Sequence, residues 1–541
     1  PSDKSIGYSY WAHAHDIRGT GWTNNTAAQR PGLRTKTFIF DVNEYGAQNN
    51  VNTRRYNNQF FTAAKYGGYE SDPANLGAKP YNTWGHPFKQ DDGTANNDVW
   101  QKPADPGEAS TYYLQSSARG VLSAFDEIFS RATTSARSIA GSAVQSKNLR
   151  EQTANAIYQG TFDTSDWSGD LLSIPVSVNA TNDVSISATN NWTAATKLGQ
   201  LPSPATSRTI VVGRPGATAN PTARDFDWGS IDLDLQTLLN KASPSATADG
   251  LGEERLLYLR GKRTQEGGNF RLRNKLLGDI INSAVVFSGK PTATSASTGY
   301  ASHSTFVATV NALNSGNGRT PAVFVGANDG MLHAFEATVG ETTSGRELFG
   351  YIPSWMGPKL SALTAPDYIN NHKAYVDGPP TVADALVSQS PDVWKTVLVS
   401  GTGAGGRGVF ALDVTNPSAF NASKVMWEFT QVDDPDMGYV IGRPQIVKIR
   451  TSPTASAAAY RWFAAVPSGV NNYENDGAGN FSTTGAPSLF LLALDKPAGT
   501  AWSSTGANPN YYKITLPVNT TATASGLVNF AASLGKVGEV A

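Results

Sequence analysis

The densest oxygen-bearing stretch of the chain is Asn471, Asn472, Glu474, Asn475, Asp476 and Asn480, with Gly477 and Gly479 permitting a tight turn. A hard cation such as calcium needs about six to eight oxygens at close range, and one loop rich in Asp, Asn and backbone carbonyls can supply them. Asn471, Asn472, Glu474, Asp476 and Asn480 are therefore the candidate calcium ligands. Their order does not follow the EF-hand loop, which wants acidic groups at alternate positions and a closing Glu. A solvated turn accounts for the same composition. A second acidic group, Asp433, Asp434 and Asp436, is broken by Pro435. Carboxylates this close repel one another unless a cation or solvent lies between them. The glycine run Gly403-Ala404-Gly405-Gly406-Arg407-Gly408 opens no helix, so the geometry that cradles a phosphate is absent. The six histidines, His13, His15, His86, His303, His333 and His372, show no paired zinc spacing, and no Gly-x-Ser-x-Gly elbow occurs. With no cysteine, there is no thiol nucleophile, thiolate metal site, disulfide or c-type haem attachment. The expectation is a protein that is not an enzyme and holds no organic cofactor.

The elements that must position these loops are strands. After about Phe162 the apolar period changes from 3.6 to 2, and short strand-like runs follow, each bounded by Gly, Pro, Asn or Ser. They cover Leu171 to Val178, Thr209 to Gly213, Ala284 to Ser288, Ala322 to Gly326, Met331 to Ala337, Val397 to Ser400, Val409 to Val414, Arg461 to Val466 and Leu489 to Asp495. Ala322 to Ala337 is an apolar strand, a Gly-Asx turn at Asn328-Asp329-Gly330, and a second strand. Asp-Gly at that place is a hairpin turn, since glycine takes the positive φ and aspartate bonds nearby backbone. Thr396 to Val414 repeats the scheme with a glycine loop, and Trp462 to Asp495 repeats it with the Asn-rich insertion. Tyr375 to Ala385 and Tyr439 to Ile449 each lead into a unit across a proline step, which suits a strand entrance. Starts at Val323, Val397 and Trp462 lie 74 and 65 residues apart, so loops are inserted into each unit. Recurring antiparallel units of this kind point to a β-propeller, whose blades bury their faces only against their neighbours.

At 541 residues the chain exceeds one hydrophobic core, so two or more domains are expected. Charged residues are only 16%, aromatics 10%, and the turn formers abundant, the profile of an extracellular β-protein. A formal net charge of -1 provides no basic field for a phosphate backbone, so nucleic acid is not an expected partner. No apolar run reaches the roughly 20 residues of a membrane span. Residues 1–110 read as the closing part of an α/β domain, with a strand at Arg34 to Asp41, a helix from Asn58 to Ala64 stopped by Gly67-Gly68, and a long polar excursion from Glu70 to Ser110. Residues 111–160 are expected to form a helical connector, because Leu114, Ala118, Val121, Leu122, Phe125, Ile128 and Phe129 recur at spacings of three and four. Residues 161–541 form the propeller, with about four to five blades and a continuation beyond Ala541.

From Asp166 onward the ordered segments resemble the C-terminal propeller of the PilC/PilY family of type IV pilus tip proteins. The pieces are Trp167 to Leu171, Leu259-Arg260-Gly261, Leu277 to Ile280, Val325 to Phe335, Gly350 to Ser354, Val376 to Pro379 and Gly405 to Asp413, in this order over about 250 residues. The first hundred residues look like the last elements of the von Willebrand factor A-like domain that precedes the propeller in that family. The stretch Asp183 to Ser187 spells that domain's metal motif, but its polar flanks make it an exposed strand. The resemblance implies a secreted protein at the cell surface, pilus tip or outer membrane, partnered with minor pilins and a host-cell or abiotic surface ligand. It also implies pilus biogenesis, virulence-linked cell adhesion and calcium dependence. The family's calcium loop is expected in a blade near or after the C-terminal end, where Ser533 to Glu539 offers one carboxylate. Two rivals remain: a periplasmic quinoprotein-type dehydrogenase, whose blades also read strand, Gly-x-x-Asp-Gly, strand, and a generic protein-binding scaffold propeller.

Overall fold

Runs such as Ala322 to Gly326 and Val397 to Val399 are apolar at every position, which a strand tolerates only if both of its faces are covered. The computed structural model shows how. It describes residues 2–14, 35–41, 48–70, 86–102, 105–114, 138–144, 155–178, 184–187, 189–291, 299–451, 459–506, 508–517 and 526–530. These fall into two units, 1–136 and 137–541.

The first unit contains helix α1 (Ser2–Ala14), strand β1 (Ile39–Asp41), helices α2 (Val51–Asn57) and α3 (Gln59–Gly67), and strands β2 (Gln101–Lys102), β3 (Asp105–Ala109) and β4 (Tyr112–Leu114). Strands β1 and β4 pair in parallel, so the helices between them form a crossover of α/β type. Asn58 starts α3 by accepting the amide hydrogens of Phe60 and Phe61, and its side chain also donates to Asp41 and Tyr112. The expected polar excursion from Glu70 to Ser110 is not all surface, because Val99, Trp100 and Ala109 pack with Phe61 and Tyr112 in the core.

The second unit is a succession of antiparallel sheets. The first comprises β5 (Ser138–Val144), β6 (Asn155–Asp163), β7 (Ser168–Val178), β8 (Val184–Ile186) and β9 (Trp192–Thr193). In the second, β12 (Val286–Ser288), β13 (Ala322–Gly326), β14 (Leu332–Glu336) and β15 (Glu347–Ile352) form a meander. Strand β10 (Ile210–Gly213) joins β15 in parallel, and β11 (Ala223–Asp225) lies beyond it. The third sheet is β16 (Thr381–Gln389), β17 (Asp392–Gly401), β18 (Gly408–Asp413) and β19 (Val425–Thr430). The fourth is β20 (Gln445–Arg450), β21 (Tyr460–Pro467), β22 (Ser488–Ala493) and β23 (Tyr511–Thr515).

Neighbouring residues of one strand feed different cores. Phe324 and Ala334 pack with Leu398, Phe410 and Leu412 between the second and third sheets, whereas Val323, Val325 and Phe335 pack back on Tyr158 and Leu171 of the first. Likewise Val397, Val399 and Val409 face Trp462, Ala464 and Phe490 of the fourth sheet. Each middle sheet is thus shared by two cores, and each fully buried large side chain contributes about 1.5–3 kcal/mol. The prolines expected at strand entrances are there: Pro380 precedes β16 and Pro444 precedes β20, and the Thr381 hydroxyl donates to the Pro444 carbonyl at 2.6 Å. The seam between sheets needs glycine. At Gly469, with φ +76°, an added Cβ would sit 1.9 Å from the Tyr439 carbonyl oxygen.

The helical connector expected over 111–160 is corrected at every place the structure describes. Tyr112–Leu114, Ser138–Val144 and Asn155–Asp163 are strands, and Leu114 of the proposed stripe lies in β4. The reason is visible in β6: Ala156, Tyr158 and Gly160 are buried while Ile157 and Gln159 are not, a period of two, and the strand pairs with β7 along its full length. The remainder of that stripe, Ala118 to Phe129, lies outside the described residues, as do Asp183 and Ser533 to Glu539. Val184–Ile186 is a strand paired with β7, with Ile186 and Ser187 exposed.

Candidate functional site

The calcium candidates sit on the insertion between β21 and β22, and the structure separates them into two pairs and a lone member. Asn471 donates from Nδ2 to Glu474 Oε1 at 2.7 Å. Asp476 Oδ1 accepts the amide hydrogens of Ala478 and Asn480 at 2.9 and 3.1 Å, and its Oδ2 accepts Asn480 Nδ2 at 3.1 Å. Asn472 is buried away from both pairs, its Nδ2 donating to the carbonyls of Asp436 and Ala486, each at 3.1 Å. Arg407, from the glycine run between β17 and β18, clamps the insertion by donating to the Glu474 carbonyl at 2.9 Å. Oxygens already occupied by N–H donors of their own loop do not converge on a shared centre, which is the arrangement of turns rather than of a coordination sphere. Asn472 Oδ1 is buried without a donor, but one oxygen is no cage. As placed, this set does not fit a calcium ion. Among the described residues no group of three or more His, Cys, Asp or Glu stands close enough to hold a metal.

The second acidic group has the cation that its spacing demanded, and it is a lysine. Lys513 of β23 places Nζ 3.0 Å from Asp434 Oδ1 and 3.0 Å from Asp436 Oδ2. Asp434 also accepts the Tyr511 hydroxyl, and Asp436 the Ser482 hydroxyl. Asp433 turns the other way and caps the Thr430 amide at 2.9 Å.

The Asp-Gly hairpin between β13 and β14 is a turn as expected, with Gly330 at φ +95°, yet its aspartate has more to do. Asp329 faces His333, one helical-type step along the chain but here on the next strand, with Nε2 to Oδ1 at 3.0 Å. The other ring nitrogen lies 2.7 Å from Glu347 Oε1, and Glu347 in turn takes a two-pronged contact from Arg208 at 2.5 and 2.8 Å. All but Asp329 are almost wholly buried. Burial alone lowers the His333 pKa, but Asp329 and Glu347 outweigh it and raise it to about 9. Burial likewise raises Glu347, and the Arg208 and His333 charges reverse that and bring it to about 2. The chain of four alternates in sign, which is how charges persist in an apolar interior.

Three further polar knots, centred on Asp279, Asp377 and Glu428, join separate segments of the second unit. Asp279 accepts Asn328 Nδ2 at 2.7 Å and lies 3.0 Å from His372 Nε2, while Asp377 accepts the Asn282 backbone amide and side chain at 2.8 and 2.6 Å. Glu428 of β19 accepts the Tyr351 hydroxyl and the Ser354 amide at 2.7 and 2.8 Å, and burial pushes its pKa up to about 7 despite those bonds. The sequence marked His333 only as a histidine without zinc spacing and gave no sign of Arg208, Glu347 or Lys513. Each is a lone residue in its own segment, and only the Asp329 and His333 spacing within one hairpin offered a local signal.

Residues 277–474, which hold the lead-in segments, the Asp-Gly hairpin and the glycine run, match the family model described as the PilY1 beta-propeller domain. The chain is 33% identical over 375 residues to the type IV pilus biogenesis factor PilY1 of Pseudomonas aeruginosa strain PAK, covering 66% of this chain and 30% of that protein. It is 32% identical over 399 residues to the PilY1 homolog of Xylella fastidiosa strain Temecula1, covering 72% of this chain and 28% of that protein. The crystal structure of the Pseudomonas aeruginosa PilY1 C-terminal domain is 28% identical, covers 42% of this chain and 35% of that one, and has a TM-score of 0.28. The chain thus spans about a third of the length of the curated relatives it matches. Sheet succession, ordered motifs and sequence identity agree, and the chain belongs to the PilC/PilY family.

Proposed function

We propose that this chain is the propeller-bearing part of a type IV pilus biogenesis factor that works without catalysis. The observation that carries the reading is the sharing of every middle sheet between two cores, in a chain whose relatives are named PilY1. Sheets buried on both faces leave loops and outer strands as contact surface, which is what an assembly and attachment module needs. In this reading the protein is secreted and pilus-associated at the tip, meets minor pilins there, supports pilus extension and binds a host-cell or abiotic surface. No helix among the described residues is long and apolar enough to cross a membrane. The first unit is the end of a von Willebrand factor A-like domain, a reading supported by its parallel β1 and β4 crossover. Calcium acts on the loop of residues 471–480 only if its internal hydrogen bonds open.

The test is removal of the segment encoding residues 161–541 from the chromosome, followed by counts of surface pili and of adherent cells. Loss of both is expected, and unchanged values for both would overturn the proposal. An absorption spectrum of the purified protein separates the quinoprotein alternative, since a bound quinone absorbs above the protein band.

A further inference from the structure

A cleft in the second unit carries an unspent positive charge. Its walls are Trp167, Tyr258, Arg271, Arg273, Lys275 and Tyr368. Two of the three cations have partners: Arg273 holds Glu266 at 2.7 Å and the Tyr258 carbonyl at 2.9 Å, and Lys275 reaches Asp170 at 3.4 Å. Asp329, at the edge of the cleft, is engaged by His333 and by the Gly278 amide. Arg271 is different. Its guanidinium lies 4.3 Å over the Tyr368 ring, no ion pair reaches it among the described residues, and its Nε and Nη1 are buried without a hydrogen bond. The Tyr368 hydroxyl beside it is also buried, near the Lys373 backbone amide, and its own hydrogen finds no acceptor. A guanidinium is almost always charged and carries donors in a fixed planar fork, so burying its N–H groups unmatched costs free energy that an acceptor would recover.

The roof of the cleft is held in an unfavourable backbone state. Trp167 has φ +54°, a region bulky side chains avoid, and it is kept there by its indole stacking on His372 at 3.7 Å and donating to the Ile369 carbonyl at 3.0 Å. Strain of this kind persists where the surroundings over-determine it, and it concentrates at ligand clamps.

We propose that this cleft binds a carboxylate, with Arg271 as its counter-ion, the Tyr368 hydroxyl as a second donor and the Trp167 indole as an apolar wall. One unpaired cation matches one negative charge, and the guanidinium fork matches the planar carboxylate. The Asp329 carboxylate at the edge opposes a dianion, which selects against phosphate. The carboxylate comes either from an acidic side chain of a bound peptide or from a free small acid. The site is independent of the pilus reading.

The test uses the 541-residue chain, with Trp167 fluorescence and an indole proton signal as readouts, titrated separately with sodium acetate, a blocked glutamate tripeptide and inorganic phosphate. Saturable perturbation by acetate or the tripeptide is expected. Tighter binding of the tripeptide assigns a peptide source, and equal binding assigns a free acid. Arg271→Gln should weaken binding about tenfold to a hundredfold, the worth of a charge-assisted contact, and Arg271→Lys should restore only part of it. Trp167→Phe read by the tripeptide's own signals checks the wall. If neither carboxylate perturbs the indole, if phosphate binds as well as acetate, or if Arg271→Gln binds normally while melting as the parent does, the proposal fails. If Arg271→Gln does not fold, Tyr368→Phe and Arg271→Lys decide it by the same criterion.

Discussion

Replacing His333 by Gln tests the buried charge chain most directly. The folded imidazole holds its proton to about pH 9, against an ordinary value of 6.5 in the unfolded chain. Across that window the folded state binds more protons than the unfolded one, so stability falls as pH rises. The difference, at 1.36 kcal/mol per pH unit, is worth about 3 kcal/mol, fully present below pH 6.5 and lost by pH 9. Glu428 has the same sign at lower pH, because its folded value near 7 exceeds the ordinary 4.5, so its share disappears between those values. Glu347 has the opposite sign: held at about 2, it stabilises the fold above pH 4.5 and loses that share as pH falls through 2. The assay is urea unfolding of the parent and His333→Gln from pH 5 to pH 10. The parent should lose stability from pH 5 to about pH 8, above which Lys496, lowered by burial to about 8, adds stability that offsets the rest of the His333 loss. The variant should be about 3 kcal/mol less stable at pH 6, lack the slope between 6.5 and 8, and meet the parent near pH 10. A parent profile flat between pH 6.5 and 8, or a variant that keeps the slope there, would refute the assignment of a charged His333.

Three other perturbations probe the loops and the seam. Lys513→Met leaves Asp434 and Asp436 without their shared cation and should cost about 1–3 kcal/mol in unfolding free energy. Adding Asp436→Asn should return part of that cost, and a double-mutant cycle with no coupling would deny the bridge. Gly469→Ala drives a Cβ to 1.9 Å from a carbonyl and should cost more than about 3 kcal/mol, whereas Gly477→Ala, at a similar φ but in open space, should cost only about 1–2 kcal/mol. Equal losses in the two would contradict the tight seam. Millimolar calcium should leave thermal melting of the chain unmoved, since the Asp476 oxygens are internally engaged. Saturating calcium that did bind would raise stability by about 2.7 kcal/mol at a hundredfold excess over Kd, and a rise abolished by Asp476→Asn would show the loop rearranging around the ion.

The stacked hairpins were readable from local sequence because their signal is local. Ala322–Gly326 and its partner Leu332–Glu336 fall inside the expected runs on either side of the Asp-Gly turn, and β21 and β22 overlap theirs, each beginning one residue earlier. The glycine run joins β17 to β18 through a single 3-10 turn at Gly403–Gly405 and leads into a strand, as its sequence position between two apolar runs suggests. Residues Asn155–Asp163 were misread because their alternation rests on Ala156 and Gly160, small residues that carry little hydrophobic contrast.

What the sequence by itself determined is the order of apolar strands, their turns and the two acidic groups, because side-chain period and turn chemistry depend on residues a few positions apart. Tertiary structure alone decided which charges meet. Lys513 neutralises carboxylates 79 and 77 residues away, Arg208 pairs with Glu347 across 139 residues, and β10 joins β15 in parallel. A Coulomb partner is chosen by distance in space and by exclusion of water, and neither quantity is written in the spacing of residues along the chain.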